Sequence, residues 1–260
     1  MAWKLFEGDC LEIMPLEIED KSIDMILCDL PYGTTACKWD TPLPLDDLWL
    51  EYKRVIKDNG AIVLTASQPF TTTLIHSNIE MFRYEWIWIK NRGSNFPLAN
   101  KMPLKEHENI IVFYNKLPTY NPIKQKRAES GEQRVKTKIA PSTISKLYGG
   151  RVGTQEQTVY SELRFPSSYQ KFNTQVGLHP TQKPVKLFEY LIKTYTNEGN
   201  LVLDNCAGSG TTGVACEITN RNSILIEKEP EYCDIIRNRL SEINLEQYQP
   251  ERVHKPLTSF

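Results

Sequence analysis

The hydrophobic positions near the start of the chain change from a strand-like pattern to a helical one and back. Residues 22–28 and 61–65 are short, nearly continuous apolar runs, which are typical of buried strands in parallel sheets. Between them, apolar residues recur at helical spacing over residues 45–56, until Lys57-Asp58-Asn59-Gly60 stops the pattern. This succession predicts a β-α-β unit.

The same alternation returns in the last third of the chain. Pro184 suits the first turn of a helix, and the residues after it place an apolar face at helical spacing: Leu187, Phe188, Leu191, Ile192 and Tyr195. The elements predicted after it are a strand over 201–203, a helix over 211–219, a strand over 223–226 and a helix over 232–245. The first half adds strands over 3–7, 83–89 and 108–114 and a helix over 70–76. The alternation predicts an α/β fold.

Regular patterning fades between residues 115 and 178. This segment carries 11 lysine and arginine residues against 4 acidic ones, whereas the whole chain of 260 residues has a net charge of −1. A basic segment on a mildly acidic body indicates contact with a polyanion on one face, and a solvated insertion is the plainer alternative. Its interleaved tyrosines and phenylalanines argue against full disorder.

Composition excludes several classes of protein. No apolar run approaches the roughly 18 residues that span a bilayer, and the first residues lack the pattern of a signal peptide, so we expect a cytoplasmic location. The six cysteines form no Cys-x-x-Cys pair, which argues against a zinc site and a disulfide framework. We expect buried thiols and no metal.

The first candidate site is Asp29-Leu30-Pro31-Tyr32, directly after the strand at 22–28. Open α/β sheets bind ligands at the carboxyl ends of their strands. The aspartate supplies a hydrogen-bond acceptor, the proline fixes the turn, and the tyrosine offers a flat face for stacking. This combination suits an amino-bearing ring such as a nucleobase.

The second candidate site is Gly208-x-Gly210-x-x-Gly213, in a strand-turn-helix context. Such a turn serves a dinucleotide or S-adenosylmethionine, and Glu227 stands after the next strand, where an acidic residue accepts from ribose hydroxyls. Asp204 begins the turn, and a carboxylate there disfavours the diphosphate of NAD but suits a sulfonium or an amino group. A purely structural glycine turn is the alternative.

Three segments together carry a resemblance: Asp29-Leu30-Pro31-Tyr32, His179-Pro180-Thr181-Gln182-Lys183-Pro184 and the glycine turn. In this order they resemble the amino-group DNA methyltransferases of the permuted beta class, in which the catalytic motif precedes the cofactor motif. The resemblance implies a Rossmann-like methyltransferase sheet with helices on both faces. It divides the chain into a catalytic half over residues 1–114, a target-recognition insertion over 115–178 and a cofactor-binding half over 179–260.

The resemblance also implies roles for single residues. Asp29, Leu30, Pro31 and Tyr32 would form the catalytic motif. Residues expected to bind S-adenosylmethionine are Asp9, Asp29, Thr181, Lys183, Asp204, Ala207, Gly208, Gly210, Thr211 and Glu227. Glu227 would hold the ribose, Lys183 would pair with the cofactor's carboxylate, and Asp9 would meet the adenine amino group. For Asp9, a cap on a helix starting near Leu11 is an equal alternative.

The implied reaction is direct transfer of a methyl group to an exocyclic amine of a base that has been flipped out of the duplex. Asp29 and the backbone carbonyl of Leu30 would accept hydrogen bonds from that amine, while Tyr32 stacks on the base. The family usually has proline where Leu30 stands, but the role there belongs to the backbone. Aspartate in first place is more typical of adenine N6 methylation, and serine of cytosine N4.

Other functions remain open from the sequence. Methylation of cytosine N4, of RNA or of a protein amide uses related turns, a DNA-binding module without catalysis would keep the basic insertion, and an NAD-dependent dehydrogenase would use the glycine turn alone. The expected partner is double-stranded DNA. The resemblance leaves room for a homodimer and for a cognate restriction endonuclease that acts on the same site.

Overall fold

The computed structural model describes residues 3–34, 40–126, 163–175 and 182–243. The strands are β1 (Trp3–Glu7), β2 (Ile23–Cys28), β3 (Ile56–Ala66), β4 (Phe82–Ser94), β5 (Lys105–Phe113), β6 (Gln125–Lys126), β7 (Leu163–Arg164), β8 (Tyr169–Lys171), β9 (Leu201–Asp204) and β10 (Asn222–Glu227). The helices are α1 (Cys10–Glu17), α2 (Leu45–Val55), α3 (Phe70–Ser77), α4 (Val185–Tyr195), α5 (Thr211–Ile218) and α6 (Pro230–Ser241).

Eight of the described strands form one mixed sheet in the order β1-β10-β9-β2-β3-β5-β4-β8. Neighbouring strands from β1 to β3 are parallel, and β5 runs antiparallel to both β3 and β4. The β-α-β unit predicted from residues 22–65 is present as β2, α2 and β3. β8, which the sequence did not predict, extends the sheet beside β4.

Helices cover both faces of this sheet, as the resemblance implied. Ile224 and Ile226 of β10 belong to the core that includes buried residues of α1, α2 and α3. Leu225 between them points the other way because side chains alternate along a strand. A Cβ atom at Gly213 of α5 would lie 2.8 Å from Leu225, so α5 packs on that second face.

The start of β3 differs from the strand that the sequence predicted. β3 starts at Ile56, directly after α2, although the sequence predicted residues 57–60 as a stop to the helix and a strand only from residue 61. Ile56 pairs with Ile23, and the next pair is Ala61 with Met25, so the register shifts across residues 57–60. The polar residues 57–60 are therefore accommodated as a bulge inside a long strand.

The chain divides into two compact units. One comprises Met1–Asn121 and Ser168–Phe260, and the other is Pro122–Ser167, whose described part contains the antiparallel pair β6 and β7. The second unit is shorter than the predicted insertion over residues 115–178. Tyr169 in β8 pairs with Ile87, and the backbone of Asn121 bonds to Thr194, so both flanks of that segment belong to the first unit.

The structure also bears on two compositional expectations. No helix within the described ranges is long and apolar enough to cross a membrane. Of the cysteines that the structure describes, Cys10, Cys28, Cys216 and Cys233 are buried, and Cys206 is partly exposed; all five are free thiols.

Candidate active site

Residues that follow four parallel strands meet at one edge of the sheet. Asp9 follows β1, Asp29 follows β2, Asp204 ends β9 and Glu227 ends β10. All four line one pocket, which also includes Tyr32, Lys183, Gly208 and other residues of the glycine turn, but Gly210 is not among the lining residues. The two sites that the sequence predicted separately thus line a single cavity, as the carboxyl-end rule for open sheets predicts.

The glycine turn satisfies its own backbone. Ala207 N donates to Ile226 O at 3.0 Å, Gly208 N to Glu227 Oε2 at 2.7 Å, and Gly210 N to Ala207 O at 2.8 Å. A phosphate cradle needs backbone N–H groups directed at the ligand. These three groups are already bonded within the protein, so the turn is poorly suited to a diphosphate.

Two positions of the glycine turn require glycine, because of the backbone conformation or because a side chain would not fit. Gly210 has φ +80°, and a Cβ atom there would lie 2.9 Å from Ile236 of α6. Gly213 sits where a Cβ atom would meet Leu225 and Leu240. Glycine at these positions therefore lets α5 pack closely against the sheet and α6.

The carboxylate of Asp204 is 2% exposed and bonded within the turn. Cys206 N donates to its Oδ1 at 3.1 Å, and the Thr212 hydroxyl donates to its Oδ2. Burial raises the pKa of Asp204 to about 6, although these hydrogen bonds act in the opposite direction. The group therefore loses its charge in mildly acidic solution.

Glu227 closes the turn from the neighbouring strand. Its Oε2 accepts from Gly208 N, and its Oε1 accepts from Glu229 N at 2.9 Å. Burial raises the pKa of Glu227, with the backbone hydrogen bonds opposing the shift. Because a carboxylate has about four acceptor sites, Glu227 retains capacity for a ligand hydroxyl.

Asp9 caps α1, which was one of its two predicted roles. Its Oδ1 accepts from Leu11 N at 2.9 Å, and the helix begins at Cys10. Asp9 also lines the pocket, so its position is compatible with the predicted adenine contact as well. That contact stays a prediction.

The carboxylate of Asp29 is held from several elements. The Tyr32 hydroxyl donates to Oδ1 at 2.8 Å and lies 3.0 Å from the Thr65 hydroxyl, which donates to the same oxygen. Lys183 Nζ donates to Oδ2 at 2.6 Å. Asp29 nevertheless remains partly open to the pocket, with 23% of its side chain exposed.

The next residues complete the catalytic wall. Leu30 is buried, Pro31 lines the pocket, and the ring of Tyr32 stacks on Phe70 with a centroid distance of 5.3 Å. Asp40 accepts hydrogen bonds from the backbone N–H groups of Gly33 and Thr34, both at 2.9 Å. The turn that carries Tyr32 is thus fixed from both sides.

Several residues of the site were not predicted from the sequence. Thr65 is the penultimate residue of β3 at the same sheet edge, so the rule that singled out Asp29 could have found it. Glu108 and Lys90 reach the site from the antiparallel pair β5 and β4, where no local motif marks them. Thr181, predicted to bind the cofactor, lies outside the described residues.

The chemistry of the pocket fits a cationic adenosine derivative. Carboxylates of Asp9, Asp29, Asp204 and Glu227 line it, and the turn that would bind a diphosphate is internally bonded. Acidic walls favour a sulfonium and an amino group over phosphates. The pocket is therefore suited to S-adenosylmethionine and not to NAD.

Comparison with known proteins identifies the family. The model of the N6/N4 DNA methylase family matches residues 23–238, which include the glycine turn and the catalytic turn. The chain belongs to this family. It is an amino-group DNA methyltransferase, and its methyl donor is S-adenosylmethionine.

Similar proteins agree with this assignment. The chain is 28% identical over 243 residues to the type II methyltransferase M.HpaI of Haemophilus parainfluenzae, covering 87% of this chain and 71% of the relative. It is 29% identical over 262 residues to the type II methyltransferase M2.MboI of Moraxella bovis, covering 93% and 88%.

Solved structures share the fold of this DNA methylase. The M1.HpyAVI complex with S-adenosylmethionine superposes with a TM-score of 0.63 at 23% identity, covering 92% of this chain and 100% of that one. The PvuII cytosine-N4-specific DNA methyltransferase gives a TM-score of 0.63 at 18% identity, covering 94% and 89%. The predicted methyltransferase fold is confirmed.

Proposed function

We propose that this DNA methylase transfers a methyl group from S-adenosylmethionine to the N6 amino group of adenine in double-stranded DNA. One observation carries the proposal: Asp29 and Tyr32 line the same pocket as the glycine turn. The cofactor supplies an electrophilic methyl group on a sulfonium. A duplex buries the adenine N6 group, so the base must leave the stack to reach Asp29.

The catalytic turn positions the amine. Tyr32 is fixed by its hydroxyl and by Phe70, and it presents a ring on which the flipped base stacks. Asp29 and the backbone carbonyl of Leu30 accept hydrogen bonds from the two N–H groups of the amine, which directs the nitrogen lone pair at the methyl group. Alignment of this kind supplies much of the rate enhancement.

Asp29 need not remove a proton before transfer. The amine nitrogen forms the new bond to carbon as the carbon–sulfur bond breaks, and the nitrogen then carries a positive charge. The N–H proton becomes acidic only at that stage. The Asp29 carboxylate, which already accepts a hydrogen bond from this amine, is then placed to take the proton. The reaction needs no covalent bond to the protein.

The wall formed by the glycine turn holds the cofactor in this proposal. Asp204, Ala207, Gly208, Gly210 and Thr211 surround the methionine end, Glu227 binds the ribose hydroxyls, and Asp9 meets the adenine. Support comes from the remaining acceptor capacity of Glu227 and from the negative charges along the wall.

Adenine is proposed over cytosine because aspartate occupies the first position of the catalytic turn, as is more typical of N6 methylation. The basic segment over residues 115–178 is proposed to contact the DNA backbone. The permuted beta class, the homodimer and the cognate endonuclease stay predictions.

The test is to incubate the protein with S-adenosylmethionine and unmethylated plasmid DNA, digest the DNA to nucleosides and identify modified bases by mass spectrometry. We expect N6-methyladenine. N4-methylcytosine would keep the mechanism and reject the base assignment. Plasmid that stays unmodified, with cofactor binding demonstrated, would reject DNA as the substrate and favour RNA or protein.

A further inference from the structure

Lys183 lies at an unexpected place for a residue of the cofactor-binding half. It is only 6% exposed, and its ammonium is 2.6 Å from Asp29 Oδ2 and 3.5 Å from Glu108 Oε2. Burial of a lysine without partners costs several kcal/mol, so both carboxylates are needed to hold this charge. The ammonium therefore belongs to the catalytic wall.

The same ammonium lies over the ring of Tyr32, with Nζ 5.5 Å from the ring centroid. Phe70 stacks on this ring, so one face remains for an incoming base. A base stacked on this face would donate a hydrogen bond from its amino group to Asp29. It would therefore need the space and the place on Oδ2 that the Lys183 ammonium now occupies. The Oδ1 oxygen offers little alternative, because Tyr32 and Thr65 already donate to it.

Glu108 provides a second position for the displaced ammonium. Its Oε1 accepts from Lys90, whereas its buried Oε2 accepts no hydrogen bond from any residue that the structure describes. Burial raises the pKa of Glu108, but Lys183 and Lys90 outweigh this effect and lower it overall. Glu108 therefore stays ionised at neutral pH, with an oxygen directed at Lys183.

Lys183 also keeps its charge during such a move. Burial lowers its pKa, but Asp29 and Glu108 together raise it above its ordinary value. A shift of the ammonium by about an ångström toward Oε2 would exchange one ion pair for another without leaving a buried charge unpaired.

We propose that Lys183 is a positioning residue that occupies the place of the target amino group on Asp29 and transfers to Glu108 when the base enters. This inference rests on the proposed function. It assigns Glu108 as the residue that receives the ammonium, so that Asp29 is kept oriented before DNA binds and is released for the amine afterwards.

The exchange predicts a specific reversal between two substitutions. Glu108→Gln removes the receiving charge and should lower kcat/KM for unmethylated plasmid about tenfold, because Lys183 is then retained on Asp29. Adding Lys183→Met, which leaves no ammonium to displace, should recover part of that loss. The dissociation constant for S-adenosylmethionine, measured by calorimetry, should change less than about threefold in all variants.

Lys57→Met is the matched control. Lys57 pairs with Asp24 at 2.6 Å, at the opposite end of β2 from Asp29. Its loss removes a lysine–aspartate pair of the same length outside the pocket, and kcat/KM should stay within about twofold of wild type. Thermal unfolding of every variant gives the folded fraction to which the rates are normalised.

Two results would overturn the exchange. Additive losses in Glu108→Gln and Lys183→Met, with no recovery in the double variant, would show a structural role. A tenfold weaker affinity of Lys183→Met for the cofactor, with unchanged kcat/KM for DNA at saturating cofactor, would instead place Lys183 on the cofactor's carboxylate. Wild-type plasmid methylation in the same series tests the proposed function separately, since its absence would reject both.

Discussion

The pocket has two walls that are stabilised in different ways. The glycine wall comprises Asp204, the glycine turn and Glu227, and the catalytic wall comprises residues 29–32 with the side chains that contact Asp29. In the glycine wall, Asp204 bonds to residues 2 and 8 positions away, and Gly208 bonds to Glu227, 19 positions away. In the catalytic wall, Asp29 bonds to Thr65 and Lys183, which are 36 and 154 positions away. The carboxylates of Asp204 and Glu227 are thus bonded within one segment, although Tyr52 also donates to Asn205 in the turn at 2.6 Å, whereas the Asp29 carboxylate also depends on donors from distant parts of the fold.

This difference separates binding from chemistry. Carboxylates bonded within one segment keep their orientation when distant parts of the chain move, which suits the side that holds a cofactor. A carboxylate held by Tyr32 and by the distant donors Thr65 and Lys183 can change partners, which suits the side where the substrate enters. Substitutions on the glycine wall should therefore mainly weaken cofactor binding, and substitutions on the catalytic wall should mainly slow methyl transfer.

Replacement of Asp29 by alanine should have the largest effect. It removes the acceptor that orients the amine, and we expect methyl transfer to plasmid DNA to fall by about 10³-fold or more. Cofactor affinity should fall far less, because Asp29 is one of four carboxylates that line the pocket and the glycine turn is bonded without it. Radiolabelled methyl transfer and calorimetry measure the two quantities, and an active Asp29→Ala protein would refute the assignment.

Replacement of Gly210 by alanine should lower stability and cofactor binding. The residue needs φ +80°, and the new Cβ atom would lie 2.9 Å from Ile236, so we expect a loss of about 2–4 kcal/mol in unfolding free energy and weaker cofactor binding. Gly199 has the same φ, and no atom lies within 4 Å of its Cβ position. Gly199→Ala should therefore cost only about 1–2 kcal/mol from backbone strain, and cofactor affinity should be unchanged. Equal losses in both variants would show that contact with Ile236 is unimportant.

Acidification should weaken binding of the cationic cofactor at the glycine wall. Asp204 has a raised pKa of about 6, so its charge is complete above that pH and is lost as the pH falls through it. We expect affinity for the cationic cofactor to fall as the pH is lowered from 7 to 5, by at most about tenfold per unit below 6. Equilibrium dialysis across this range measures it, and Asp204→Asn should remove the dependence. A pH-dependent affinity that persists in Asp204→Asn would assign the effect to another group.

Replacement of Tyr32 by phenylalanine should have the smallest effect. It keeps the stacking ring and the contact with Phe70 but removes one of the donors to Asp29, while Thr65 and Lys183 remain. We expect the rate to fall about threefold to tenfold, mostly in kcat. Tyr32→Ala, which removes the ring, should raise KM for DNA as well. An equal effect of the two substitutions would mean that stacking contributes nothing.

The contrast between the walls also explains what the sequence could predict. Asp204, the glycines and Glu227 lie within 24 positions of one another, so their motif is readable in a single stretch. Asp29 and Tyr32 were recognisable for the same reason. The contact of Lys183 with Asp29 was not, because it depends on β9 pairing beside β2 and on where residues 182–184 cross that edge.

The sheet shows the same division. Strong periodicity in residues 185–195 and 45–55 predicted α4 and α2 closely. β8 was missed because three residues within an irregular basic segment carry no periodic signal, and only the exposed edge of β4 makes them a strand. Glu108 was missed because nothing local shows that β5 runs antiparallel and so starts at the pocket.

The strand order has a consequence for synthesis of the chain. Phe6 in β1 pairs with Ile226 in β10, and β2 borders β9 as well as β3, so β1 finds its neighbour and β2 its second one only when the last strands appear. At about 5–20 residues per second, β1 waits at least about ten seconds on the ribosome without its partner. Pairing over so long a sequence separation slows folding and leaves apolar strands open to wrong partners in the meantime. Production of active enzyme should therefore depend on temperature and chaperone supply more than the stability of the finished sheet would suggest.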